Sequence, residues 1–130
     1  MKRSAFEYLG IPMSFGIDTT EIDAIFQNLM QKSDICEDLK IQITKSYSTV
    51  RNNISRGEEI LRIFKIQQEL IKIPEEFFEE LMDLSYEELT NLSDEIYNKI
   101  VKMNVSSENI AAFSNLFMGY KYINKAFLPE

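Results

Sequence analysis

Apolar residues recur at intervals of three and four through almost the whole chain, and only four glycines and three prolines interrupt them. Such spacing lays one apolar stripe along a helix, and long stretches of it leave little room for strands or tight hairpins. An all-α fold is therefore expected. The 130 residues, 45% of them hydrophobic, are about the size of one ordinary domain. That is enough for one core or for two small helical lobes.

Punctuation divides the stripe into elements. Gly10 and Pro12 limit any helix in the first apolar segment, Phe6 to Phe15, to about two turns. Asp18 or Thr19 can cap a helix carrying Ile22, Ile25, Phe26, Leu29 and Met30 on one face and ending near Lys32. A second long helix is expected from Ser33 or Asp34, with Leu39, Ile43, Val50 and Ile54 along one face and Tyr47 beside them. Phe26 and Tyr47 are expected to meet in the core across this antiparallel pair. After a break near Asn52 and Asn53, helical spacing resumes at Ser55 and extends through Ile66, Leu70 and Ile71 to Ile73.

Pro74, with Glu75 and Glu76 behind it, starts a short helix to about Leu84, because proline suits a first turn and carboxylates complement the helix dipole. Ser85 and Glu88 have capping-box spacing and open a helix striped by Leu89, Leu92, Ile96, Ile100 and Met103. Ser106 or Ser107 is expected to cap a last helix whose stripe is Ile110, Phe113, Phe117, Tyr120, Ile123 and Phe127. The one candidate boundary lies between Ile71 and Pro74, dividing the chain into lobes 1–73 and 74–130.

Composition narrows the chemistry. The formal charge is −7, from 21 acidic against 14 basic residues, so a nucleic-acid backbone would be repelled. Lys2 with Arg3 is the only basic cluster visible, and it reads as a solvated terminus. There is no histidine, which removes the commonest general base and metal ligand, and Cys36 is the single cysteine. The adjacent pairs Glu58 with Glu59, Glu75 with Glu76 and Glu79 with Glu80 point about 100° apart on a helix and read as solvated faces. No catalytic group, metal site or cofactor is expected. No apolar run approaches the roughly 20 residues that cross a bilayer. Met1 to Ser4 is too short for a signal peptide's opening, so a cytoplasmic protein is expected, bacterial on its isoleucine- and asparagine-rich composition, with a mitochondrion-related compartment as the alternative.

Some apolar residues fall off the stripes. In the Pro74 helix, Phe77, Leu81 and Leu84 share one face, which leaves Phe78 and Met82 on another. Met118 and Tyr122 are similarly displaced in the last helix. A wide core face is one reading; an apolar contact patch rimmed by Glu79, Asp83 and Tyr86 is the other.

Several blocks resemble a known family. Phe6-Glu7-Tyr8-Leu9-Gly10-Ile11-Pro12, then Phe15, Ile17, Asp18 and Phe26-Gln27-Asn28-Leu29, look like the first two helices of HscB-type J-proteins, co-chaperones of iron-sulfur cluster assembly. Ile43-Thr44-Lys45-Ser46-Tyr47-Ser48-Thr49-Val50 and Arg56-Gly57-Glu58-Glu59-Ile60-Leu61 are similar to segments of that family's third helix and beyond. Phe77-Phe78-Glu79-Glu80-Leu81-Met82-Asp83-Leu84 resembles its Phe-Leu-Met-Glu signature, and Lys121-Tyr122-Ile123-Asn124-Lys125 its last helix. Together the blocks run from Phe6 to Phe127.

The resemblance implies a reduced J-like lobe followed by a small helical bundle that holds the scaffold protein, IscU. The residues so implicated are Phe78, Met82, Asp83, Tyr86 and Tyr122; Glu79 stands where the family often has an apolar residue. Two departures qualify what is implied. The family's His-Pro-Asp tripeptide would fall near Ser33-Asp34-Ile35, where this chain has no histidine, and the second helix lacks the basic face that docks a DnaK-type ATPase chaperone. The stretch from Asp83 to Asn104 is also shorter than the family's long central helix. What is expected is a non-catalytic scaffold-binding protein with weakened chaperone contact. The alternative is an acidic helical inhibitor or antitoxin that retains a J-protein framework.

Overall fold

The structure is a computed structural model describing residues 3–32 and 34–128; Lys2 and Ser33 lie outside the described residues. It is all-helical, with no strand among the described residues. Its helices are α1 (Ala5–Leu9), α2 (Thr19–Met30), α3 (Glu37–Arg51), α4 (Asn53–Ile63), α5 (Glu75–Met82), α6 (Tyr86–Val101) and α7 (Ile110–Tyr122). A 3₁₀ turn spans Gln68–Leu70, and a π-helical turn, Ile123–Phe127, continues α7.

The chain forms two compact units, 1–65 and 66–130. The expected boundary at Ile73 is therefore displaced towards the N-terminus. Helix α4 stops at Ile63, and Lys65 adopts a left-handed backbone with φ of 59°, which ends the helical spacing. Leu70, expected on a helical stripe, stands 71% exposed in the 3₁₀ turn. The 66–73 segment is tied to the second unit, where Lys121 Nζ donates to Gln68 Oε1 at 2.7 Å.

In the first unit α1 lies chiefly against α3, which also packs on α2 and α4. Ser4 closes a capping box with Glu7, and Gly10 ends α1 with φ of 70°. Asp18 caps α2 by accepting the Thr20 N–H at 2.9 Å. Asn52 breaks α3 from α4 and caps the latter, accepting from Ile54 and Ser55. Helix α3 starts at Glu37, later than expected; Glu37 and Asp38 in its first turn complement the dipole while Cys36 supplies no side-chain cap. Phe6, Phe15, Ile22, Ile43, Val50, Ile60 and Leu61 form the core.

Two charged residues lie within this unit. The side chain of Arg56 is fully buried and donates to the Phe15 carbonyl at 2.7 Å, the Val50 carbonyl at 2.8 Å and Asn53 Oδ1 at 2.6 Å. Its guanidinium also sits 4.8 Å from the Phe15 ring centroid. Glu59, expected on a solvated face, is buried instead. It accepts the Ala5 N–H at 2.6 Å and both Nε and Nη2 of Arg62, at 2.6 and 3.0 Å. Sequence adjacency to Glu58 placed the pair in different directions, and the inward direction was Glu59's.

The Phe26 and Tyr47 rings do stack, with centroids 4.0 Å apart. Both are half-buried, so they cap the edge of the core rather than fill its centre. The Tyr47 hydroxyl explains its position, because it donates to Asp23 Oδ1 at 2.6 Å, and Arg51 Nε donates to the same oxygen at 2.9 Å.

In the second unit α6 and α7 form the main pair, and the π turn that follows α7 also packs on α6. Ser85 and Glu88 make the expected capping box on α6. Helix α7 starts at Ile110, beyond the expected serines. Ser106 instead helps close the preceding turn, its N–H donating to Asn109 Oδ1 at 2.7 Å. Leu81, Leu89, Ile96, Ile100, Phe113, Phe117, Tyr120 and Ile123 are buried.

Candidate functional site

Helix α5 has two apolar faces, as its sequence requires. Leu81 is buried, and Phe77 lies over α7 at Gly119, where an added Cβ would come within 3.4 Å of Phe77 Cζ. Glycine at 119 thus lets an aromatic ring approach the α7 backbone. With Phe77 and Leu81 committed to that contact, Phe78 and Met82 emerge on the neighbouring side of α5.

There Phe78 meets Tyr122 edge-on, with centroids 4.4 Å apart and planes 63° apart. Phe77 approaches Phe78 in the same edge-on manner at 6.2 Å. Both Phe78 and Tyr122 are half-buried, so each stays partly accessible to solvent. Met82 follows one turn along α5 and is 75% exposed. Asp83 caps the C-terminal end of α5 through its backbone N–H, leaving its carboxylate exposed. Tyr86 opens α6, also 75% exposed, and its ring has no aromatic partner among the described residues. Of the five residues singled out from the sequence, Phe78 and Tyr122 are in direct contact. Met82, Asp83 and Tyr86 line the adjoining α5–α6 connection.

Phe127 joins this surface. The i, i+3, i+4 pattern placed it on the buried stripe of the last helix, but the π turn over Ile123–Phe127 winds more residues into each turn. Phe127 consequently returns to the side of Tyr122, at a centroid distance of 5.7 Å, and is half-buried. Residue spacing alone gives no sign of a π turn.

The electrostatic setting is asymmetric. Residues 1–65 carry nine basic and nine acidic residues, and residues 66–130 carry five and twelve, so the net charge of −7 belongs to the second unit. Between Glu75 and Val101 there are nine acidic residues and one lysine, Lys99. The exposed apolar side chains therefore stand among Glu79, Asp83, Glu87 and other carboxylates. This arrangement can hold a partner by apolar contact and orient it by charge.

Among the described residues no group of three acidic or cysteine side chains is placed to hold a metal ion. No helix of the described residues is long and apolar enough to cross a membrane. No protein-family model, curated protein or solved structure matches the chain.

Proposed function

We propose that this protein is a non-catalytic, HscB-like co-chaperone whose second unit binds the iron-sulfur scaffold protein in a bacterial cytoplasm and assists cluster assembly or transfer. The observation that carries the reading is the edge-on contact between Phe78 and Tyr122, beside the exposed Met82 and within a field of carboxylates. Helical spacing and the family resemblance nominate these residues separately. Their packing suits a pre-ordered aromatic anchor, the kind of group in which interface energy concentrates.

The first unit has a different part in this reading. With no histidine in the chain, the His-Pro-Asp tripeptide is absent, so a DnaK-type ATPase would not be stimulated. The protein would hold the scaffold rather than drive a chaperone cycle.

Titration calorimetry with the scaffold protein tests the proposal. Phe78→Ala and Tyr122→Ala should each weaken binding by about thirtyfold, or roughly 2 kcal/mol. Asp83→Ala, at the polar rim, should act less and mainly alter salt dependence. Circular dichroism of each variant separates lost affinity from lost fold. Wild-type affinity in both aromatic variants would overturn the site and favour an acidic helical binding protein with another target. Single-turnover ATP hydrolysis should be no faster with the protein than without it.

A further inference from the structure

The first unit holds a groove unrelated to the aromatic surface. Arg3, Ala5, Tyr8, Gln42, Lys45, Ser46, Thr49, Glu59 and Arg62 line a space of about 180 Å³. The cations come from three places in the sequence: Arg3 precedes α1, Lys45 lies on α3 and Arg62 on α4. Sequence reading found no basic cluster beyond the terminus because these residues converge only through the packing of α1 and α4 on α3.

Three cations and one carboxylate line the groove, giving it a formal charge of +2 within a chain of net −7. Glu59 cancels one of the three positive charges. Its oxygens are occupied by Arg62 and the Ala5 N–H, and this pairing fixes the guanidinium while leaving Arg62 Nη1 outside the pair. Neither Arg3 nor Lys45 has an ion-pair partner among the described residues, although Arg3 lies 6.0 Å from the Tyr8 ring centroid. Lys40 and Lys72 likewise form no ion pair among the described residues; Arg3 and Lys45 differ in lining one groove together with Arg62. Gathering like charges is unfavourable unless an anion joins them. The hydroxyls of Tyr8 and Ser46 and the Gln42 amide add hydrogen-bonding groups to the same walls, while the Thr49 hydroxyl proton is given to the Lys45 carbonyl at 3.0 Å.

We propose that this groove binds a dianionic phosphate group, with Lys45 and Arg3 as the charge-neutralising residues and Arg62 as a donor oriented by Glu59. Arginine's planar fork and the lysine point charge both suit phosphate oxygens, and the +2 lining matches a dianion. The volume limits the occupant to one such group and what directly adjoins it. The group could be free phosphate or the phosphate of a small monoester; the chemistry is the same.

The test is a titration of the ¹⁵N-labelled full chain with inorganic phosphate and, separately, O-phospho-L-serine, at constant ionic strength set with chloride. The Ser46, Thr49 and Ala5 amides should shift saturably, with a Kd on the order of 1 mM. Lys45→Ala and Arg3→Ala, both exposed positions, should each raise that Kd by about tenfold, as loss of a charge-assisted contact does. Lys102→Ala, in the other unit, should leave it unchanged. Tighter binding of phosphoserine would assign the site to a monoester, and equal or weaker binding to the free ion. Non-saturating shifts, or wild-type affinity in both Lys45→Ala and Arg3→Ala, would overturn the site. Retained dispersion of the variants' spectra shows that they are folded.

Discussion

Arg56 joins three parts of the first unit with one side chain, since its donors reach the Phe15 carbonyl before α2, the Val50 carbonyl in α3 and Asn53 at the start of α4. A buried cation persists only when its donors are satisfied. Arg56→Ala would leave both carbonyls without this donor and open a void, so it should cost about 3 kcal/mol or more in urea unfolding. Arg56→Lys, which cannot span the same three acceptors, should still be clearly destabilised; a loss below about 0.5 kcal/mol would contradict the role given to the fork. Asp23 supplies a second test at this scale. The Tyr47 hydroxyl, and after it Arg51, holds the Asp23 carboxyl below its ordinary pKa, and the same contact raises that of Tyr47. Folding therefore favours ionised Asp23. Its contribution is complete above the unfolded carboxylate value of about 3.9 and is lost as pH falls through the lower folded value. Solvent screens this cluster, so the effect is modest and salt-sensitive. Asp23→Asn should flatten the decline in melting temperature between about pH 5 and about pH 2; an unchanged slope would show that other carboxylates account for it.

Several elements with chemical start and stop signals follow those signals in the structure. Asp18 caps α2, Asn52 separates α3 from α4, and Ser85 closes its box with Glu88. Ser85→Ala should therefore cost about 1 kcal/mol in urea unfolding, because the Glu88 N–H at the start of α6 loses its acceptor. An unchanged midpoint would mean that water replaces the cap without loss. The departures are of two kinds, apolar spacing that runs on past a stop and candidate capping residues that the helix does not use. Ile66, Leu70 and Ile71 continue a helical rhythm, but the left-handed Lys65 stops α4 before them. Serine spacing suggested a start at 106 or 107 for the last helix, whereas those residues form a turn that precedes Ile110. At the candidate site, the division of α5 into two apolar faces was legible because Phe77, Phe78, Leu81 and Met82 exceed what one stripe can bury. Phe127 was not legible, since its position depends on a backbone winding that has no residue signature. Nor was the basic groove, whose cations are far apart in sequence and meet only across packed helices.

At the scale of the whole molecule, the buried apolar residues divide with the two compact units. Phe15, Ile22, Ile43, Val50 and Leu61 belong to one, and Leu81, Ile100, Phe113, Phe117 and Ile123 to the other. The charge divides too, with the first unit neutral and the second carrying all of the net −7. Chains organised this way can keep separate tasks on separate cores, here the phosphate groove proposed for the first unit and the aromatic surface of the second. Independent stability is the physical requirement for that separation. Phe15 and Phe113 are both fully buried, and truncating either to alanine should cost about 3–5 kcal/mol within its own unit. Native-state hydrogen exchange on the full chain should then show Phe15→Ala lowering protection across α1–α4 while α6 and α7 keep theirs, and Phe113→Ala doing the reverse. In the double variant each unit's loss should match that in the single variant to within about 0.5 kcal/mol, as additivity between independent units requires. Protection lost throughout the chain from either single substitution would show one cooperative fold, and a partner bound at Tyr122 would then be coupled to the occupancy of the groove beside Lys45.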